Sequence, residues 1–214
     1  YNLQGVLNYA GSSSFSKDAR YILSPTIGLS WIVSEEGFLK DSKFIDYLKI
    51  RGEYGILGYE SFRAPYGYRD RWNNNSSGTA FGPYGSNQWF GSDTDNLVYR
   101  TVQSRTGNPL LNWEKRREFN AGIEMLMARR RLLLEVNYYN QLRDGMISGL
   151  AKLPLVVGIS SWLPAFNYNQ IRYTGVELAL QYSKNKGDFR YSLSGRATLP
   201  KAIWERYDEP AYRY

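Results

Sequence analysis

The feature that most constrains this chain is a pair of alternating runs that meet across a short basic turn. Phe119, Ala121, Ile123, Met125 and Met127 interleave with Glu118, Asn120, Gly122 and Glu124. Beyond Arg129, Arg130 and Arg131, Leu132, Leu134, Val136 and Tyr138 interleave with Glu135, Asn137 and Tyr139. Successive side chains of a strand point to opposite faces, so each run has one apolar and one polar face, and the two form a hairpin. The polar face carries carboxylates and amides, which leaves open whether it meets bulk water or an enclosed aqueous lumen. The competing reading is a helix through 125–136. It would use good helix formers, but Leu132, Leu133 and Leu134 are contiguous with no opposing polar face.

The same alternation recurs at 1–9, 21–31, 47–57, 171–182 and 189–198, so about seven strands are expected and the fold class is all-β and antiparallel. The stretch 34–46 is a polar connection with room for a helical turn. Between 58 and 112 the periodicity collapses, except for a possible short strand at 96–102. A segment that long with no regular structure is usually functional or disordered, and its many aromatics favour an ordered surface loop. A second long loop is expected at 144–170. Connections at 128–131 and 183–187 are tight, whereas 11–20, 58–112 and 144–170 are long or rich in Ser and Gly. Short turns on one rim and long loops on the other suit a transmembrane β-barrel segment. A soluble sandwich also alternates and stays open as an alternative.

Composition narrows function more than fold. Cys and His are both absent, which excludes disulfides, thiolate nucleophiles, His-based triads and the usual zinc sites within these residues. No enzyme and no cofactor are expected. The acidic pairs Asp93 with Asp95 and Glu35 with Glu36 sit in polar loops, where such groups are usually solvated, and Asp93 to Asn96 lacks the Gly and distal Glu of a calcium loop. The formal charge is +7, but the basic residues are scattered through alternating runs, which argues against nucleic acid as a partner. The longest weakly polar run, 153–166, contains Pro154 and Pro164 and is shorter than the roughly 20 residues of a membrane helix. A barrel escapes that test, so a mean hydropathy of -0.51 does not count against one. Because the sequence opens inside a strand pattern, any signal peptide is expected outside it.

Several motifs, in order along the chain, carry a more specific signal. Gly11-Ser12-Ser13-Ser14-Phe15, Ser24-Pro25 and Gly28-Leu29-Ser30-Trp31-Ile32-Val33-Ser34-Glu35-Glu36 are followed by Leu48-Lys49-Ile50-Arg51-Gly52-Glu53-Tyr54-Gly55-Ile56-Leu57-Gly58. Then come Asn108-Pro109-Leu110-Leu111-Asn112-Trp113-Glu114, Asn137-Tyr138-Tyr139, Thr174-Gly175-Val176-Glu177-Leu178 and Tyr207-Asp208-Glu209-Pro210. Together these resemble the signatures of the SusC/RagA family of TonB-dependent outer-membrane transporters. Ala10, Ser14 and Thr174 depart from the pattern, at wall or loop positions that bear little on cargo.

The resemblance implies that residues 1–214 are part of a 22-strand barrel, about a third of its wall, in the outer membrane of a Gram-negative cell. It also implies a plug domain, a signal peptide and further strands outside this sequence. The partners it implies are a SusD-like surface lipoprotein as lid, the TonB complex, outer-membrane lipid, and an oligosaccharide or peptide as cargo. The expected function is TonB-dependent import of a large nutrient; the alternative is a soluble or surface-exposed glycan-binding module. Aromatic rings among amides offer flat apolar faces and hydrogen bonds to a sugar or peptide. On that ground Tyr66, Tyr68, Trp72, Tyr84, Trp89, Phe90 and Trp162 are the candidate contacts to cargo or lid.

Overall fold

The computed structural model describes residues 1–60, 65–75, 100–149 and 163–209. Among the described residues nine strands are formed: β1 (Asn2–Gly11), β2 (Tyr21–Ile32), β3 (Ile45–Tyr59), β4 (Arg71–Asn75), β5 (Arg100–Arg105), β6 (Glu114–Met127), β7 (Leu132–Ser148), β8 (Phe166–Lys186) and β9 (Phe189–Arg206). Seven of them make one antiparallel sheet in the order β1-β2-β3-β6-β7-β8-β9, and β4 pairs with β5 as a separate hairpin. The expected seven-strand meander is therefore present, and the connection between β3 and β6 carries the small hairpin.

Register keeps the two faces distinct across the whole sheet. Ile50 lies opposite Ile123, Ile123 opposite Val136 and Val136 opposite Leu178, while Arg51, Gly122, Asn137 and Glu177 form the neighbouring row. Since side chains alternate with a period of two, every residue of the first row points to one face and every residue of the second to the other. On the apolar face Leu3 is 67% exposed, Leu7 69% and Leu193 75%, with Leu29, Ile123 and Leu180 exposed as well. A contiguous apolar surface of that extent is not left to water in a soluble monomer. On β6 it runs from Phe119 to Met127, about 26 Å along the strand. At the usual tilt of a barrel strand that is roughly 20 Å of height, close to the apolar band of a membrane barrel.

The run of three leucines resolves as strand. Leu132 and Leu134 share the apolar face, and Leu133 falls on the other, opposite Leu126 and Gln181. The helix alternative fails at Ala128, Arg129 and Arg130, whose φ angles are 55°, 60° and 60°. Left-handed backbone at non-glycine residues costs roughly 1 to 2 kcal/mol each, so this turn needs support from outside itself. The β2–β3 connection and the start of β3 supply it: Ala128 N–H donates to the Phe44 carbonyl at 3.0 Å and Arg130 N–H to Asp46 Oδ2 at 2.8 Å.

Several boundaries differ from those expected. The strand expected at 96–102 is Arg100–Arg105, and its partner Arg71–Asn75 lay hidden in what reads as loop. β7, β8 and β9 run further toward the long-loop end than the alternation indicates, because the backbone ladder continues where apolar and polar side chains no longer sort by face. At 34–46 the connection opens with a single 3-10 turn, Val33–Glu35.

Among the described residues, the one buried hydrophobic cluster lies at the long-loop end, where two of the sequence motifs meet. Phe15, Ile22, Leu111, Trp113 and Ile147 form one cluster, with Leu111 only 1% exposed. Phe15 and Trp113 rings lie 5.2 Å apart, centroid to centroid. Hydrogen bonds enclose the cluster. Asn108 Nδ2 donates to the Ala165 carbonyl (2.8 Å), Asn167 Nδ2 to the Asn112 and Gly145 carbonyls (both 2.7 Å), and Ile147 N–H to Glu114 Oε1 (3.0 Å). The Asn-Pro-x-Leu-x-Trp-Glu stretch is thus a knot tying three connections to the top of the sheet. Below it the β2–β3 ladder ends at Thr26 opposite Gly55, beside Pro25, which has no N–H to contribute. Ser24 Oγ takes over by accepting the Gly58 N–H at 3.2 Å, and Ile22 packs so closely over Gly58 that a Cβ there would lie 2.6 Å from it.

Two predictions follow from the faces and the turn. Leu134→Lys, on the apolar face, is expected to destabilise the membrane-embedded protein by about 2 to 4 kcal/mol. Glu135→Lys is expected to be far milder in the same urea titration; equal losses would contradict the register. Arg129→Gly removes a left-handed non-glycine residue and is expected to raise stability by up to about 1 kcal/mol, whereas a loss would mean that the turn is unstrained.

Candidate functional site

The polar face of the sheet is concave and holds a groove of about 660 Å³. Strands β3, β6, β7 and β8 line it through Arg51, Glu53, Asn120, Asn137, Tyr139 and Glu177, with Gln4 and Ser30 from β1 and β2. Alternation alone brings these side chains to one surface, and their mutual hydrogen bonds fix them there. Arg51 Nη2 donates to Asn137 Oδ1 at 2.7 Å across the intervening strand β6. Asn120 Nδ2 lies between two carboxylates, 2.8 Å from Glu53 Oε1 and 3.0 Å from Glu118 Oε1, and Arg116 closes on Glu118 at 2.8 Å.

The Arg51 reach is possible only because β6 has Gly122 beneath it. A Cβ at that position would lie 2.5 Å from Asn137 Oδ1 and 2.7 Å from Arg51 Nε. Gly175 serves the Tyr139 ring in the same way, with a Cβ there coming within 2.5 Å of the phenol oxygen. The surface so formed offers amides, a guanidinium and carboxylates at short spacing. It can hydrogen-bond a polar solute or a polar protein surface. Among the described residues no acidic group of three or more is arranged to hold a metal ion.

At the long-loop end, Tyr66 and Tyr68 lie on the segment that leads into β4, and Trp72 lies within that strand. Trp72 is 58% exposed and sits opposite Gln103 of β5. Tyr66 is half exposed, with φ 53°, and its carbonyl accepts from Arg105 Nη2 at 2.8 Å. The Tyr68 hydroxyl accepts from Arg69 Nε at 2.9 Å, and the guanidinium stacks on the same ring. Gly107 fastens this segment to the buried knot: its N–H donates to Asp70 Oδ1 at 2.7 Å, while Asn108 N–H donates to the Gly67 carbonyl at 2.9 Å. The other candidates, Tyr84, Trp89, Phe90 and Trp162, lie outside the described residues. Sequence reasoning about sites concentrated on these rings and passed over Arg51, Asn120, Asn137 and Tyr139. The signal for them was the amide- and carboxylate-rich polar face of the alternating runs.

The opposite end is capped by a smaller polar clasp. Trp31 Nε1 and the Tyr1 hydroxyl both donate to Glu36 Oε1, at 2.9 and 2.7 Å, and the two rings stack. The indole bond, followed by the phenol bond, holds the Glu36 carboxyl below the usual carboxylate range. Of the acidic pair weighed as catalytic, Glu36 is thus engaged in fixing two aromatic side chains at the rim.

A profile of the family described as "TonB dependent receptor-like, beta-barrel" matches residues 1–212. The chain is 27% identical over 194 residues to the TonB-dependent receptor SusC of Bacteroides thetaiotaomicron, an alignment that takes in 90% of this chain and 18% of SusC. It is also 27% identical over 182 residues to TonB-dependent receptor P26 of Formosa agariphila, across 83% of this chain and 16% of that receptor. Among solved structures it resembles the RagAB peptide importer in its closed-closed state with a TM-score of 0.76 at 20% identity, covering 96% of this chain and 20% of the importer chain. The chain therefore spans about a fifth of the length of the relatives it matches. With a family profile running almost from end to end over an antiparallel sheet that has one apolar and one polar face, the chain belongs to the TonB-dependent receptor β-barrel family.

Proposed function

We propose that this chain forms part of the wall of an outer-membrane transporter that imports a large polar nutrient, an oligosaccharide or a peptide, with energy supplied through TonB. The observation that carries this reading is the division of the sheet. Leu3, Leu29, Ile123, Leu180 and Leu193 occupy one exposed face, and the Arg51, Glu53, Asn120 and Asn137 network occupies the other. The first face suits lipid and the second an aqueous lumen. An open sheet is not stable in hydrocarbon, since unpaired backbone groups at its edges would be left unsatisfied. β1 and β9 each have a single neighbour, so the wall is completed by strands beyond those described here. A plug domain within the lumen belongs to the same proposal.

The short connections lie toward the periplasm and the long ones outside. Tyr9 stacks on Tyr21 at one end and Tyr1 on Trp31 at the other, with Tyr182 and Tyr191 beside the tight β8–β9 turn. Rings at both ends of an apolar band suit two interfacial belts. Outside, the segments 58–112 and 144–170 frame the cargo entrance beneath a SusD-like lipoprotein lid. The exposed Trp72 and Tyr66, held on the knot through Gly107, support that role. A soluble glycan-binding module would have to leave the whole apolar face in water, which weighs against that reading.

Replacing Trp72 and Trp89 by alanine in the full-length protein is expected to lower uptake of the cognate cargo several-fold. Heat-modifiable gel mobility and co-purification of the lid should stay unchanged. Persistent uptake with loss of the lid would identify these rings as the lid contact instead.

A further inference from the structure

Four cations sit where the outward face stops being apolar, and the function proposed above leaves them without a role. Lys115, Arg117, Arg172 and Lys201 occupy outward register positions at the long-loop end of β6, β8 and β9. One cross-strand row reads Ile56, Arg117, Leu142, Arg172, Ile203, so charge and hydrocarbon alternate along it. Among the described residues, the acidic groups near these cations include Asp18, Asp144 and Glu205. Glu205 is bound to Arg172, whose guanidinium also donates to Asn140 Oδ1. Asp144 stands 3.7 Å from Arg117, with both side chains partly in solvent, a separation and exposure at which an ion pair holds weakly. Lys115 is exposed and has no ion pair among the described residues.

Lys115 and Arg117 also flank a crevice of about 310 Å³. It opens where β2 leaves β3 beside Pro25, and its walls include Tyr21, Leu23 and Ile56, with Asp18 at the edge. Leu23 and Ile56 offer hydrocarbon and the Tyr21 ring a polar tip, while Lys115 and Arg117 provide fixed positive charge on the rim. A sugar or a soluble metabolite would gain little from such walls, and neutral lipid would gain nothing from the cations. An amphiphile with a phosphate head and an acyl chain satisfies both halves.

We propose that this crevice and its cationic rim bind the phosphate headgroup of an anionic membrane lipid, with the first part of an acyl chain against Leu23 and Ile56. The proposal rests on the outward face being the lipid face. Lys115 and Arg117 donate to the phosphate oxygens, Arg117 turning from its loose contact with Asp144. Arg172 and Lys201 extend the positive rim along β8 and β9.

The full-length protein, in neutral detergent and stripped of lipid, would be titrated with dioleoylphosphatidylglycerol or dioleoylphosphatidylcholine, and bound lipid counted by native mass spectrometry. The wild type is expected to prefer phosphatidylglycerol. K115Q/R117Q is expected to bind it roughly tenfold more weakly, while K115R/R117K and the opposite-rim control R129Q/R130Q retain it. Excess inorganic phosphate should not displace it. Unchanged binding by K115Q/R117Q, equal binding of phosphatidylcholine, or displacement by inorganic phosphate would overturn the proposal. If the double variant does not give a heat-modifiable band, K115Q alone decides by the same readouts, because Lys115 has no ion pair among the described residues to lose. A wild-type protein that is neither heat-modifiable nor recovered with membranes would sink the barrel reading and this proposal with it. A folded barrel without the lipid preference would sink the proposal alone.

Discussion

Everything in this chain depends on the backbone hydrogen-bond ladder that joins seven strands side by side. In hydrocarbon no water is available to a peptide group, so each N–H and C=O must be met by a neighbouring strand. That requirement fixes register, and register fixes which side chains share a face. The continuity of pairing from Leu3–Leu29 through Ile50–Ile123 to Leu178–Ala197 turns a one-dimensional alternation into two surfaces of opposite character. Where the ladder fails, at Pro25, the repair uses a hydroxyl rather than water: Ser24 Oγ accepts the Gly58 N–H.

The two faces solve different problems. Outward, the side chains need only be apolar and the aromatics only near the ends, so many sequences would serve. Inward, the groups are polar and close together, and the solution is more particular. Gly122 and Gly175 exist as gaps through which Arg51 meets Asn137 and over which the Tyr139 ring lies. A methyl group at either would displace the side chain that covers it. The long-loop end follows a third logic. A knot of Phe15, Leu111, Trp113 and Ile147 gives the loops a solid base, which carries the small β4–β5 hairpin through Gly107 and Asn108.

Much of this was legible in the sequence, for a specific reason. A period of two is visible wherever one face is apolar, so the hairpin of β6 and β7 could be read from Phe119 to Tyr138 nearly residue by residue. Alternation gave out where apolar and polar side chains mix on the same face. β9 beyond Thr198, β8 before Ile171 and β7 beyond Gln141 are strands whose hydropathy no longer separates the two faces. β4 was missed for the same cause, since Arg71–Asn75 has a single apolar residue, Trp72, among polar ones. The motif at Asn108 to Glu114 was recognisable as a pattern, but its purpose was not. That Leu111 is the most buried side chain of the cluster while Leu110 beside it is 84% exposed depends on connections far apart in sequence. The inner network was half visible: the residue types were apparent, but the pairing of Arg51 with Asn137 required the order of the strands.

The central claim is that one face of this sheet meets lipid and the other water, and these residues contain no cysteine to interfere with labelling. Spin labels placed singly along 132–139 of the full-length protein in its membrane, and tested with oxygen against a water-soluble nickel complex, measure that claim directly. Positions 132, 134, 136 and 138 should be relaxed by oxygen, and 133, 135, 137 and 139 by nickel. Uniform accessibility along the strand, or the reverse alternation, would contradict the account.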